Sequence, residues 1–225
     1  LPIWLVSLFL VDALNLFYVS MLGEQALAAA IGFAGTVQFF MISVAIGLSI
    51  AATAVVSRAV GAGEAAEARR LAASSLAVLV GALALVALGL WIMRDAALGL
   101  LGAQGETRAI AGRFLAIVLP ALPLLGVGMV AGGLMRAVGD ARRSMQITLA
   151  GGAVAAVLDP LLIFGLGLGI DGAAIASALS RATLAVMGLH YLVRVHGLLG
   201  RIERAHLAAD ARRIFGIGFP AVATQ

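Results

Sequence analysis

The chain has 225 residues, 63% of them hydrophobic and 12% charged, with a mean hydropathy of +1.11. Soluble domains are about 45–50% apolar and about 25% charged, so a water-soluble fold is excluded and the bilayer must solvate most of the surface. The net charge of +4 comes from 15 arginines and no lysine, placed between apolar runs where they meet headgroups and set topology rather than bind nucleic acid, and the lack of cysteine removes disulfide, thiolate-zinc and iron–sulfur chemistry.

An apolar run of about 20 residues crosses the hydrocarbon core as a helix, and unpaired backbone groups cannot stay in lipid, so an all-α bundle follows. In chain order the predicted spans run over residues 2–22, 27–56, 71–93, 110–134, 145–168 and 173–193, and a seventh opens near Ile214. Both chain ends lie inside apolar runs, which suggests a piece of a longer protein. The turn after the first span, Gly23-Glu24-Gln25, has no arginine, whereas the next loop carries Arg58, Arg69 and Arg70. The third loop has Arg94 and Arg108 mixed with Asp95 and Glu106; the fourth has Arg136, Arg142 and Arg143; the fifth, Gly169-Ile170-Asp171, has none; the sixth has Arg194, Arg201, Arg204, Arg212 and Arg213. The positive-inside rule then puts the even loops and the N-terminus in the cytoplasm. Arg58-Ala59-Val60-Gly61 and Arg136-Ala137-Val138-Gly139 echo one another. They read as a shared helix ending with glycine as the stop, or as a duplicated helix pair.

Two carboxylates fall inside spans: Asp12 in the first and Asp159 in the fifth. Insertion scales charge about 2.5–3.5 kcal/mol for an Asp at a helix centre, so such a residue usually faces a protein interior or a water cavity and marks function. Low dielectric disfavours the ionised form, and a carboxyl whose exposure changes can load and release a proton. Pro160 follows Asp159, lacks an N–H for the Ala156 carbonyl, and is expected to kink the helix and leave a carbonyl near the carboxylate. Pro120 and Pro123 are expected to deform the fourth span in the same way. Asn15 shares a helical face with Asp12.

Gln38, Ser43, Ser49 and Thr53 punctuate the second span, and Ser177, Ser180, Arg181 and Thr183 the sixth. Hydroxyls in membrane helices usually make packing hydrogen bonds, and Gly132-Gly133 and Gly151-Gly152 read as close helix contacts. Arg181 is either an intramembrane partner of a carboxylate or a side chain snorkelling to an edge. No enzymatic constellation is visible: no histidine pair has metal spacing, no phosphate loop occurs, and Gly167-Leu168-Gly169-Ile170-Asp171 misses the intramembrane aspartyl protease element by one residue. No cofactor or resident metal is expected.

Five strings, in order, carry a family resemblance: 20–29 (SMLGEQALAA), 56–63 (VSRAVGAG), 134–140 (LMRAVGD), 158–165 (LDPLLIFG) and 172–177 (GAAIAS). Through them the chain resembles the N-terminal lobe of the multidrug and toxic compound extrusion (MATE) transporters. The resemblance implies a polytopic helix bundle, with residues 1–205 as one six-helix lobe of a twelve-helix, two-lobe transporter and residues 206–225 as the start of the second. It implies export of a small, cationic or amphiphilic substrate across the inner membrane in exchange for H⁺ or Na⁺. The family's ion-coupling Asp on the fifth helix aligns with Asp159, and its sixth-helix Thr with Ser177. Its first-helix Asp aligns with Asn15, which can coordinate but not titrate, and its fifth-helix Asn with Ala155, which can do neither. Asp12, one turn before Asn15, is left as the titratable group there, so the expected cavity-lining set is Asp159, Asp12, Asn15 and Ser177, with Na⁺ as the metal those residues could hold. A lipid-linked-precursor flippase of the same superfamily and a non-transporting scaffold or receptor are the rival readings.

Overall fold

The computed structural model describes residues 25–200 and 204–223, with side chains described for residues 27–200 and 207–216. The first predicted span, with Asp12 and Asn15, lies outside them. The described chain is helical in seven segments: α1 (Gln25–Gly61), α2 (Ala65–Leu100), α3 (Gly105–Val118), α4 (Leu122–Ala137), α5 (Ala141–Pro160), α6 (Gly169–His190) and α7 (Arg204–Ala223). A single 3₁₀ turn, Leu119–Ala121, joins α3 to α4, so the two cross as one span. Among the described residues, five stretches are long and apolar enough to cross a bilayer.

The helices outrun the apolar runs that predict them. At about 1.5 Å per residue, the 36 residues of α2 span about 54 Å, well beyond the roughly 30 Å hydrocarbon core. Arg69, Arg70 and Arg94, expected in loops, are therefore on α2, Arg108 is on α3, and Arg142 and Arg143 are in the first turns of α5. The seventh helix likewise opens at Arg204 rather than near Ile214. Its polar beginning is held because Asp210, 3% exposed, accepts from Arg70 Nη1 at 2.8 Å. Gly200 N–H adds a bond to the Arg69 carbonyl at 3.0 Å.

Three helices end in the same capping geometry, with a glycine at positive φ: Gly63, Gly102 and Gly139. In each, the glycine N–H bonds three residues back and the next N–H five residues back, as Gly139 to Arg136 and Asp140 to Met135. The echoed strings differ here in register: Gly139 is itself the stop, whereas Gly61 is still helical and Gly63 stops α1. Asp140 then caps α5, accepting from Arg143 N–H at 3.1 Å, from the Arg143 side chain, and approaching His196 Nε2 at 2.9 Å.

Those contacts, the Arg143 side chain foremost, hold the Asp140 carboxyl down at about 2, against an ordinary value of about 4. A depressed carboxyl contributes stability above its ordinary value and loses it as pH falls through the folded value. Asp140→Asn should therefore lower the melting temperature at neutral pH, and the deficit should close between about pH 4 and about pH 2. A deficit that is constant across that window rules the ionic contribution out.

The span formed by α3 and α4 shows how prolines and neighbours are matched. Pro120 has no N–H for the Ala116 carbonyl, and Trp91 Nε1 of α2 donates to that carbonyl instead, at 3.1 Å. Pro123 cannot serve Leu119, so the Leu122 N–H turns to the Leu119 carbonyl and closes the 3₁₀ turn. Beside that turn, Arg181 Nη1 of α6 donates to the Val118 carbonyl at 3.1 Å. Arg181 Nη2 also donates to Gln38 Oε1 of α1 at 2.6 Å. Arg181 is 8% exposed near the middle of its span, so it joins three helices inside the lobe and does not snorkel.

Elsewhere the helices meet at glycines. A Cβ on Gly151 would lie 2.5 Å from Leu184, one on Gly188 2.6 Å from Ala131, and one on Gly133 would collide with Thr53 Oγ1. Large apolar side chains such as Leu85, Ile92, Leu149 and Val186 are exposed to the lipid.

Candidate functional site

One stripe of α5 turns inward: Ser144, Ile147, Gly151, Ala155 and Asp159, continued by Ile163. Steps of three and four keep it on one helical face. Small residues dominate because α6 packs directly on it. Ser180 Oγ donates to the Gly151 carbonyl at 2.8 Å, and a Cβ on Gly172 would be 2.8 Å from the Leu162 backbone. These two contacts run in opposite chain directions and fix the antiparallel register, with Asp159 and Ser177 between them. By those two contacts, the α6 residue level with Asp159 falls between 172 and 175, so Ser177 lies about 3–8 Å from its height along the axis.

Asp159 is 2% exposed, and its Oδ1 is buried with no hydrogen-bond partner among the described residues. Ser177 is half-buried. Ala155, one turn below Asp159, is 3% exposed, so the residue standing where the resembled family has Asn adds no polar atom to the stripe. After Pro160 the helix passes into a π turn, Leu161–Gly165, with the Leu166 N–H reaching the Leu161 carbonyl at 2.9 Å. Ala156, whose carbonyl Pro160 cannot serve, is exposed, while Asp159 is buried. Asp159 and Ser177 are thus on two neighbouring helices that pack on each other; Asp12 and Asn15 fall outside the described residues.

Asp171, read from sequence as a turn residue, is in the first turn of α6, and its Oδ1 is also buried without a partner among the described residues. Glycines at 167, 169 and 172 disguise the helix start in the sequence. A cavity of about 520 Å³ lies at the other end of the bundle, lined by Arg58, Glu64, Glu67, Arg212 and Arg213 among others, and includes none of these site residues. Among the described residues, no cluster of three His, Cys, Asp or Glu could hold a metal ion.

The MatE family profile matches residues 2–161. The chain belongs to the MatE family. A FAD transporter of Shewanella oneidensis is 32% identical over 204 residues, covering 88% of this chain and 44% of that protein. The multidrug export protein MepA of Staphylococcus aureus is 28% identical over 222 residues, covering 92% and 47%. Among solved structures, the Vibrio cholerae MATE transporter VcmN in its bent form superposes with a TM-score of 0.90 at 26% identity, over 98% of this chain and 50% of that one. A MOP superfamily transporter of Pyrococcus furiosus, described by a binding pocket of reverse polarity, superposes at 0.83 with 25% identity, over 99% and 50%. The chain spans about half the length of the curated relatives it matches. This MatE chain is thus a multi-pass membrane protein whose relatives are transporters of small molecules.

Proposed function

We propose that the complete protein is a secondary-active exporter of the inner membrane that exchanges a drug or organic cation for H⁺ or Na⁺. Residues 1–205 form its first lobe and residues 206–225 open the second. The N-terminus and the even loops face the cytoplasm, as the arginine distribution favours. The observation that carries this reading is Asp159: a carboxylate 2% exposed, with one oxygen unpartnered among the described residues, in a membrane-spanning helix of a transporter family. Holding it ionised there costs about 2.5–3.5 kcal/mol on insertion scales. Binding a proton or a sodium ion removes that cost, and access to water restores it. An oscillation between the two is what couples cation movement to the opening of the lobe. Ser177 offers a hydroxyl oxygen to the same site, with Asp12 and Asn15 as its first-helix members.

Arg181 weighs against the flippase reading, because its guanidinium is engaged with Gln38 and Val118 inside the lobe. The name of the Shewanella relative favours one variation, an anionic nucleotide-like substrate. The test uses the complete transporter in proteoliposomes loaded with either a cationic dye or FAD. An imposed H⁺ or Na⁺ gradient should accelerate efflux, and an ionophore that collapses the gradient should remove the acceleration. Efflux indifferent to both gradients would overturn the exchange mechanism.

A further inference from the structure

We infer that the cavity between α1, α2 and α7 is a binding site for a phosphate group, carried by an anionic lipid headgroup or by a free phosphate compound. It lies outside the Asp159 site and does not depend on the exchange reading.

The walls come from three helices. Val55 and Ala59 of α1 and Leu71 of α2 are buried and give an apolar floor. Gly216 of α7 adds room, since a Cβ there would meet nothing within 4 Å. The volume of about 520 Å³ falls within the range of about 300–1,000 Å³ usual for small-molecule sites. The rim is charged: Arg58 in the last turn of α1, Arg212 and Arg213 on α7, and Glu64 and Glu67 where α2 begins.

The frame is locked by the protein's own contacts. Arg70 Nη1 reaches the buried Asp210 at 2.8 Å, and Gly200 N–H bonds the Arg69 carbonyl at 3.0 Å, so α7 is tied to α2. Glu67 is approached by Arg70 at 3.5 Å and by Arg213 at 3.8 Å, which neutralises it. The side chains of Arg58 and Arg212 have no hydrogen bond or ion pair among the described residues, yet both line this cavity. Against them stands Glu64, which leaves an excess of positive charge on the rim.

Arginines that merely meet headgroups from a helix end act singly and spread around the helix. Here two unengaged guanidiniums from different helices open on one cavity whose walls are already fixed, so little ordering remains to be done on binding. A guanidinium fork matches phosphate oxygens with parallel pairs of hydrogen bonds. Basic pockets between helices on the cytoplasmic side, where the proposed orientation puts this one, hold lipid headgroups. The apolar floor suits the first carbons beyond the phosphate. A ligand held by Arg58 and Arg212 together bridges α1 to α7, the helix that opens the second lobe in the proposed architecture.

The test uses the complete protein in phosphatidylcholine nanodiscs, with phosphatidylglycerol added in one arm and inorganic pyrophosphate titrated in the other. Native mass spectrometry counts the retained phosphatidylglycerol, and calorimetry follows pyrophosphate. The parent should hold phosphatidylglycerol in preference to phosphatidylcholine, or bind pyrophosphate, and the arm that responds names the source. Arg58→Gln combined with Arg212→Gln should weaken that binding about thirtyfold, the combined effect of two arginines near an anionic surface. Glu64→Gln should strengthen it about fivefold by removing the opposing charge. Arg142, exposed at the start of α5 and outside the cavity, is the control, and Arg142→Gln should leave binding unchanged. A parent that binds neither probe, or a double variant that binds like the parent, overturns the site. Equal losses from Arg142→Gln and Arg58→Gln describe a generic basic face and overturn it as well. Should the double variant fail to fold, Arg58→Gln alone is read, with an expected loss of about fivefold.

Discussion

Asp159→Asn in the complete transporter should reduce gradient-driven export to the background of empty vesicles while leaving the protein as stable as the parent, or more so. The two halves of that result come from one cause. The carboxylate is 2% exposed with an oxygen that has no partner among the described residues, and keeping it ionised costs about 2.5–3.5 kcal/mol on insertion scales. Asparagine keeps the shape and loses the charge, so the cost disappears along with the capacity to titrate or hold a cation. Loss of transport with loss of stability would instead describe a structural residue. Asp159→Glu should keep part of the transport, because the ionisable group survives with one added methylene in a stripe of small residues. Export measured in proteoliposomes beside thermal melting separates the cases, and parent-level export by Asp159→Asn would remove the carboxylate from the mechanism.

The second large effect is on folding. Arg181→Ala should remove the guanidinium donors that Gln38 Oε1 and the Val118 carbonyl accept. A buried acceptor that loses its donor costs about 1–3 kcal/mol, and with Gln38 half-buried the total loss should stay on the order of that range. Arg181→Lys keeps the charge but cannot present two separated donors in a planar fork, and its melting temperature should fall between the parent and Arg181→Ala. An Arg181→Ala protein that melts with the parent would refute the joint of α1, α3 and α6.

The sequence made the spans legible because an apolar run is a direct consequence of the solvent that covers it. Their ends were illegible for the same reason. Arg69, Arg70 and Arg94 look like loop residues by hydropathy, yet helix α2 continues through them into headgroup and water, where a charged helix costs nothing extra. Asp159 stood out because nothing polar surrounds it in sequence, and the resemblance in the strings around it pointed to the family that the profile match shows. Arg181 stood out too, but its partner could not be read. The Val118 carbonyl stands beside the turn where Pro123, five residues on, diverts the Leu122 N–H to Leu119. That is a three-body relation between a missing donor, a redirected one and a distant helix. Asp171 was masked by its glycines, which signal a turn although the helix has already begun at Gly169.

The join at Leu119–Ala121 is usually the weak place in a spanning helix, where water enters to serve carbonyls that proline has orphaned. Here Trp91 serves the Ala116 carbonyl and Arg181 bonds the Val118 carbonyl, from two sides. Flexing at that point cannot then be gradual. It requires an indole and a guanidinium to release their acceptors at once and find others, so the segment should behave as a latch with discrete settings rather than as a spring.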